Sequence, residues 1–253
     1  MTQTEKARLF ADLHVPGDPV ILYNIWDAGS ARAIAEAGAK AVATGSWSVA
    51  AAQGYGDGEE IPLDLLLRIA GRIAATVDVP VTVDFEGGYA ETAEDTAANA
   101  ARLMETGATG INYEDRVVNG EGLYDTQTQA DRIRAIRQAA DSTGLPLFIN
   151  ARTDVFLKEP DRSKHAGLLA DALDRAAAYT EAGASGFFVP GLVDGDLIGK
   201  VCDGVSLPVN VMMLDGAPSV QDLAALGVAR VSYGPGPYID AMQDLAARFR
   251  DAA

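Results

Sequence analysis

One cysteine and two histidines are all that this 253-residue sequence offers for a disulfide or a soft metal. Cys202 alone cannot close an internal bridge, which agrees with a reducing compartment. His14 and His165 are far apart and neither has a Cys or His beside it, so zinc spacing is absent. Basic residues are also scarce. Lys and Arg number 20 against 36 Asp and Glu, and a formal charge of −16 repels phosphate backbones and anionic lipid. Nucleic acid and membrane surfaces are therefore not expected as partners. Apolar runs stop far short of the ~20 residues that span a bilayer. Residues 1–6 are polar and carry no export signal, so a cytoplasmic protein is expected.

What is present is a regular rhythm. β-Branched runs at 20–25, 41–44, 79–84, 110–114, 147–152, 186–189, 208–212 and 230–233 alternate with Ala/Leu-rich helical patterns. In the helix expected over 64–77, Leu66, Ile69, Ala70, Ile73 and Val77 share one face while Arg68 and Arg72 take the other. Four related segments, "AEAGAKAVATG", "METGATGINYE", "TEAGASGFFVP" and "AALGVARVSYG", each end a helix on glycine and enter a strand.

Eight strand–helix units in this length predict a single (β/α)₈ barrel domain over residues 1–253, with function at the C-terminal ends of the strands. An open doubly wound sheet is the alternative, but "NIWDAGS" follows the first strand where a Gly-x-Gly-x-x-Gly fingerprint would stand. A helix over 5–13, with Leu9, Phe10 and Leu13 on one face, is expected to cover the barrel. At the other end Ile239, Met242, Leu245, Ala246 and Phe249 form an apolar stripe that seals either this barrel or a neighbour's.

The barrel gathers scattered polar residues at one mouth. Strand three ends in Asp84 and Glu86, strand four in Glu114 and Asp115, and strand five in Arg152, Thr153 and Asp154. The turn "GYGDGEE" after strand two adds Asp57, Glu59 and Glu60. Clustered carboxylates repel one another unless a cation offsets them. Oxygen ligands without His or Cys suit Mg²⁺, or Mn²⁺ in its place, with Asp84 binding directly and Asp57, Glu86 and Glu114 acting through water. The competing reading is that such acids cap helix N-termini, and it applies best to Asp115 and Asp154. Arg152 either balances these acids or receives a substrate carboxylate or phosphonate, and the second role is favoured. Gly45, Ser46 and Trp47 close strand two in a turn whose backbone N–H groups could face an anion. Cys202 reads as a structural thiol.

In order, "YNIWDAGSARAIAEAGAKAVATGS", "PVTVDFEGGY", "GINYEDR", "INARTDVFL" and "PVNVM" resemble the isocitrate lyase/phosphoenolpyruvate mutase superfamily over nearly the whole chain. The resemblance implies a (β/α)₈ barrel, often with its last helix swapped between subunits, hence a homo-oligomer, dimer or tetramer. It implies Mg²⁺ held by Asp84 with Asp57, Glu86 and Glu114, and an anion-binding and catalytic Arg152, with Glu114 and Asp57 also catalytic. Gly45, Ser46, Trp47, Asp84, Arg152 and Asn210 would contact a small 2-oxo or 2-hydroxy acid. The implied chemistry is C–C cleavage through an enolate. The alternatives are phosphoenolpyruvate mutase or phosphonopyruvate hydrolase chemistry, and a barrel that binds 2-oxo acids without catalysis.

Three departures stand out. Asp84-Phe85-Glu86 replaces Asp-x-Asp, Gly45-Ser46 reverses the usual Ser-Gly, and residues 116–127 lack the Lys-x-Cys-Gly-His loop of the lyases. Glu121, Tyr124 or a water is left to supply a proton, and Asn119 is a partial echo of the mutase loop.

Overall fold

A computed structural model describes residues 1–117 and 120–252, so Asn119 lies outside the described residues. Eight parallel strands, β1 (Val20–Leu22), β2 (Val42–Ala43), β3 (Val81–Asp84), β4 (Gly110–Glu114), β5 (Phe148–Arg152), β6 (Gly186–Phe188), β7 (Val209–Met212) and β8 (Arg230–Ser232), form one sheet. Neighbours run in chain order from β2 to β8, and β8 then pairs with β1. The remaining seam is joined by a parallel bridge between Ile25 and Thr44, with Ile25 N donating to Ala43 O at 2.8 Å. The result is the (β/α)₈ barrel expected from the sequence, and each predicted strand is found within its predicted limits.

Alternation along the strands sorts the side chains. Val81, Val83, Ile111, Tyr113, Ile149, Ala151, Phe187, Val209, Val211 and Val231 point outward into the helical layer, where all are buried. That layer comprises α2 (Ala28–Glu36), α4 (Leu63–Ala74), α5 (Ala93–Met104), α6 (Thr126–Thr143), α7 (His165–Glu181), α8 (Gly195–Gly204) and α9 (Val220–Ala225). In α4, Leu66, Ala70 and Ile73 are buried and Asp64 and Arg72 complement the helix dipole, as the periodicity predicts. One element is new. The Gly45–Ser48 stretch, expected as a turn, begins a short helix α3 (Ser46–Ala52) that sets the next loop back over the mouth. Among the described residues no helix is long and apolar enough to cross a membrane.

The other face of the strands fills the barrel, and its middle is polar. Asn112 Oδ1 accepts from Asn150 Nδ2 and Arg230 Nη2, both at 2.9 Å. Arg230 Nε donates to Ser232 Oγ at 3.2 Å, and Ser232 Oγ to Asn210 Oδ1 at 3.3 Å. Arg230 is fully buried. Desolvation pushes its pKa down to about 9 against the opposing pull of Asp84, which still leaves a cation under the mouth at neutral pH.

The first helix, α1 (Gln3–Asp12), closes the N-terminal end. Its cap is a reciprocal Thr2–Glu5 box, and Gln3 Nε2 fastens it to Met104 O and Ala108 O. Phe10 plugs the barrel and is fully buried beside Leu22, Ala43 and Phe148. Gly110 makes room for the plug, because a Cβ there would lie 2.9 Å from Phe10 Cε1. Ala7 and His14 share the buried face, whereas Leu9, expected on it, is exposed. The last helix, α10 (Gly236–Ala252), buries only Pro237. Its predicted stripe stands largely in solvent, with Met242, Leu245 and Phe249 exposed.

Candidate active site

At the C-terminal ends of the strands lies a cavity of about 310 Å³, and eight of the nine expected site residues line it. They are Gly45, Ser46, Trp47, Asp57, Asp84, Glu86, Glu114 and Arg152. The ninth, Asn210, is buried one layer lower in the polar network, and Met212 of the same strand takes the place on the wall.

Asp84 is anchored at the C-terminal end of β3. Its Oδ2 accepts from Ser46 N at 3.1 Å and Ser46 Oγ at 2.9 Å, and its own N–H donates to Thr44 Oγ1 at 2.9 Å. Oδ1 is buried and has no partner among the described residues. A buried carboxylate oxygen without a donor is costly, and a cation is the simplest remedy. The start of α3 thus holds the acid: Ser46 N–H is committed to Asp84 and Gly45 N–H to Ile25 O at 3.2 Å.

Glu86 stands on a strained turn. Its φ is +49°, with +57° at Tyr89 and +62° at Glu59 across from it. Glu59 N donates to Glu86 Oε2 at 2.8 Å, and Tyr89 N returns the link to Glu59 Oε1 at 2.8 Å. Gly88, at φ +85°, is needed for space as well, since a Cβ would meet Thr96 Cγ2 at 2.6 Å. Burial, with Asp84 and Asp57 nearby, pushes the Glu86 pKa up to about 8.

Glu114 and Arg152 face each other in register across β4 and β5, with Oε2 and Nη1 2.9 Å apart. Arg152 is also gripped by Asp154 through Nε at 2.6 Å and Nη2 at 2.9 Å. Although burial works against its charge, Glu114, Asp154 and Asp84 together hold its pKa above the ordinary arginine value. Asp154 and Asp115 do not cap helices as the competing reading expected. Asp115 accepts from Asp154 N, Arg175 Nη1 and Tyr179 OH at 3.0, 3.0 and 2.9 Å, so it braces the strand ends from behind.

Among the described residues no three His, Cys, Asp or Glu side chains converge into a metal cage. Mg²⁺ does not require such a cage, since it takes one or two direct carboxylates and keeps several waters. The donor set and the unpartnered Asp84 Oδ1 fit such an ion.

Several lining residues escaped sequence reasoning. Asn24 binds Thr44 O, Tyr233 N and Gly234 N, tying together the tops of β1, β2 and β8. Its signal was a polar residue at the end of an apolar run. Arg116 lines the wall and pairs with no carboxylate among the described residues. Leu157, Phe188, Met212, Leu214 and Pro235 add an apolar side to the wall that holds the acids. Glu121 is exposed, and Tyr124 stacks on Arg132, 4.2 Å from guanidinium carbon to ring centre; neither lines the cavity. Cys202 is half-buried in α8, where burial pushes its pKa up to about 11, in keeping with a structural thiol.

Fold and mouth together define a barrel enzyme that concentrates carboxylates and arginine around a small cavity. The family described as phosphoenolpyruvate phosphomutase matches residues 10–253. The chain belongs to the isocitrate lyase/phosphoenolpyruvate mutase superfamily, whose members are lyases and mutases. A solved structure from Burkholderia cenocepacia J2315, a phosphonomutase by designation, is 48% identical with a TM-score of 0.96, covering 99% of this chain and 100% of its own. The phosphoenolpyruvate phosphomutase of Streptomyces hygroscopicus is 31% identical over 98% of this chain and 81% of its own length. The 2-methylisocitrate lyase of Escherichia coli K12 is 28% identical over 87% and 79%.

Proposed function

We propose that this protein is a Mg²⁺-dependent lyase or decarboxylase that cleaves a C–C bond in a small 2-oxo or 2-hydroxy acid, leaving the electron pair as an enolate. The observation that carries the reading is the buried, unpartnered Oδ1 of Asp84 on the cavity wall. Asp84 would bind the ion directly, and Asp57, Glu86 and Glu114 would hold its waters. The chemistry supplied by a cation there is positive charge beside the 2-oxo acid, which offsets charge developing as the neighbouring bond breaks. Arg152, oriented by Glu114 and Asp154, presents a fixed cation to the substrate carboxylate. Arg116 offers a second cation at the rim, for a distal carboxylate.

The cavity wall holds neither cysteine nor histidine, which suits decarboxylation best, because that step can begin without a general acid. The apolar side, with Leu157, Phe188 and Met212, favours a substrate with a hydrocarbon branch. The test is incubation of the purified protein with Mg²⁺ and oxaloacetate, substituted malates or methylisocitrate, following pyruvate or glyoxylate. Turnover abolished by Asp84→Asn is expected. No turnover across the panel, or turnover that survives this substitution, would sink the proposal.

The family match and the phosphonomutase designation of the 48%-identical relative favour a second reading, P–C chemistry on phosphonopyruvate. Phosphorus NMR with that compound separates the two.

For assembly, we propose exchange of α10 between subunits. Its apolar stripe is exposed while Ile21 and Tyr23, on the outer side of the first strand run, are each 39% exposed. A partner's helix would cover that gap.

A further inference from the structure

Arg132 is a buried arginine with an unusual set of partners. It is 1% exposed and makes no ion pair among the described residues. Its Nη2 donates to Gly87 O at 2.6 Å and Ala90 O at 2.7 Å, and Nη1 donates to Gln129 Oε1 at 2.9 Å. The guanidinium lies over the ring of Tyr124 at 4.2 Å and that of Tyr113 at 5.3 Å. Burying a charge with no carboxylate in contact is expensive, although Glu59 feels its field, and a leucine or methionine would fill the same volume without that cost.

What the arginine touches suggests why it is kept. Gly87 and Ala90 bracket the turn in which Glu86 and Tyr89 adopt left-handed backbone, a conformation that persists in non-glycine residues only when the surroundings enforce it. Glu59 also holds that turn, through Glu86 Oε2 and Tyr89 N. Asn99 holds Gly88 O and Tyr89 O at 3.1 Å each, and Arg132 holds it from behind. Gln129, one turn earlier on α6, donates from Nε2 to Glu114 O at 3.0 Å. One turn of α6 therefore fixes the backbone beside two acids that arrive on different strands. Arg132 itself does not line the cavity.

We propose that Arg132 is a positioning residue for the cation site: through Gly87, Ala90 and Gln129 it sets where the Glu86 and Glu114 carboxylates stand. The proposal rests on the reading that Asp84, Glu86 and Glu114 hold a divalent ion. An arginine fork spans two carbonyls and a side-chain amide at once, and a lysine ammonium cannot match that geometry.

The test is Mn²⁺ binding to the full chain, read from the EPR signal of free Mn²⁺, with water proton relaxation of the bound ion as a second readout. Wild type is expected to bind one ion and Asp84→Asn none. Arg132→Met should bind at least tenfold more weakly and Arg132→Lys at an intermediate level, both with more exchanging water on the ion and unchanged circular dichroism. If Arg132→Met does not fold, Arg132→Lys and Gln129→Met decide, and both should weaken binding and raise relaxation. Wild-type affinity and relaxation in the folded Arg132 and Gln129 variants would overturn the positioning role alone. Failure of the wild type to bind Mn²⁺ would overturn the cation-site reading and this inference with it.

Discussion

Replacing His14 by glutamine should flatten the acid limb of the stability profile. His14 sits under the barrel, 6% exposed, stacked on Phe148 at 4.0 Å and edge-on to Phe10 at 4.7 Å. Its Nδ1 lies 2.7 Å from Phe10 O, so the neutral ring donates there, and Nε2 has no partner among the described residues. Burial first, and the Arg230 cation second, push its pKa down from an ordinary 6.5 to about 3. Between those values the unfolded chain takes up a proton that the folded protein refuses. The stability tied to neutral His14 is thus complete above pH 6.5 and drains away as pH falls toward 3. At about 1.4 kcal/mol per pKa unit, a drop from roughly pH 8 to roughly pH 4.5 should remove about 2–3 kcal/mol through this residue. Urea unfolding of both proteins at the two pH values isolates it, because carboxylate contributions cancel in the comparison. An equal acid loss in wild type and His14→Gln would refute the reasoning. So would histidine ¹⁵N shifts showing His14 charged at pH 5.

Phe10→Ala should cost about 3–5 kcal/mol in denaturant unfolding, since the plug is fully buried and the barrel floor cannot collapse onto the void. Arg116→Ala should raise KM for a dicarboxylate about tenfold or more with kcat little changed, the loss of one charge-assisted hydrogen bond of about 1.5–3 kcal/mol; steady-state kinetics with mono- and dicarboxylates would show it. Joint replacement of Leu245 and Phe249 by aspartate should yield monomers in analytical ultracentrifugation with little loss of melting temperature, because in one chain those side chains are 61% and 72% exposed. An unchanged oligomer would count against helix exchange.

Strand positions were readable because alternation and helix-ending glycines are local signals, and strand ends then place Asp84, Glu114 and Arg152 at one mouth. What could not be read depends on partners distant in sequence. Asp115 and Asp154 had the composition of helix caps, yet Arg175 and Arg152 claim them in three dimensions. Arg132 and Arg230 carry no local signal of burial, because their partners lie 45 and 118 residues away. Asn210 was expected at the substrate from the family resemblance, which gives its strand but not its depth along the barrel, and it is buried beneath the cavity wall.

The left-handed backbone at Glu59, Glu86 and Tyr89 has a consequence for anyone seeking a hardier variant. Glycine relieves strain at such positions, so a screen for heat tolerance should enrich it at all three. Each gain would remove a carboxylate or a phenol from the rim of the cavity or from the turn behind it. In this barrel the easiest routes to robustness run through the turn that carries Glu86 to the cavity, and a stabilisation campaign that ignores activity would loosen that turn first.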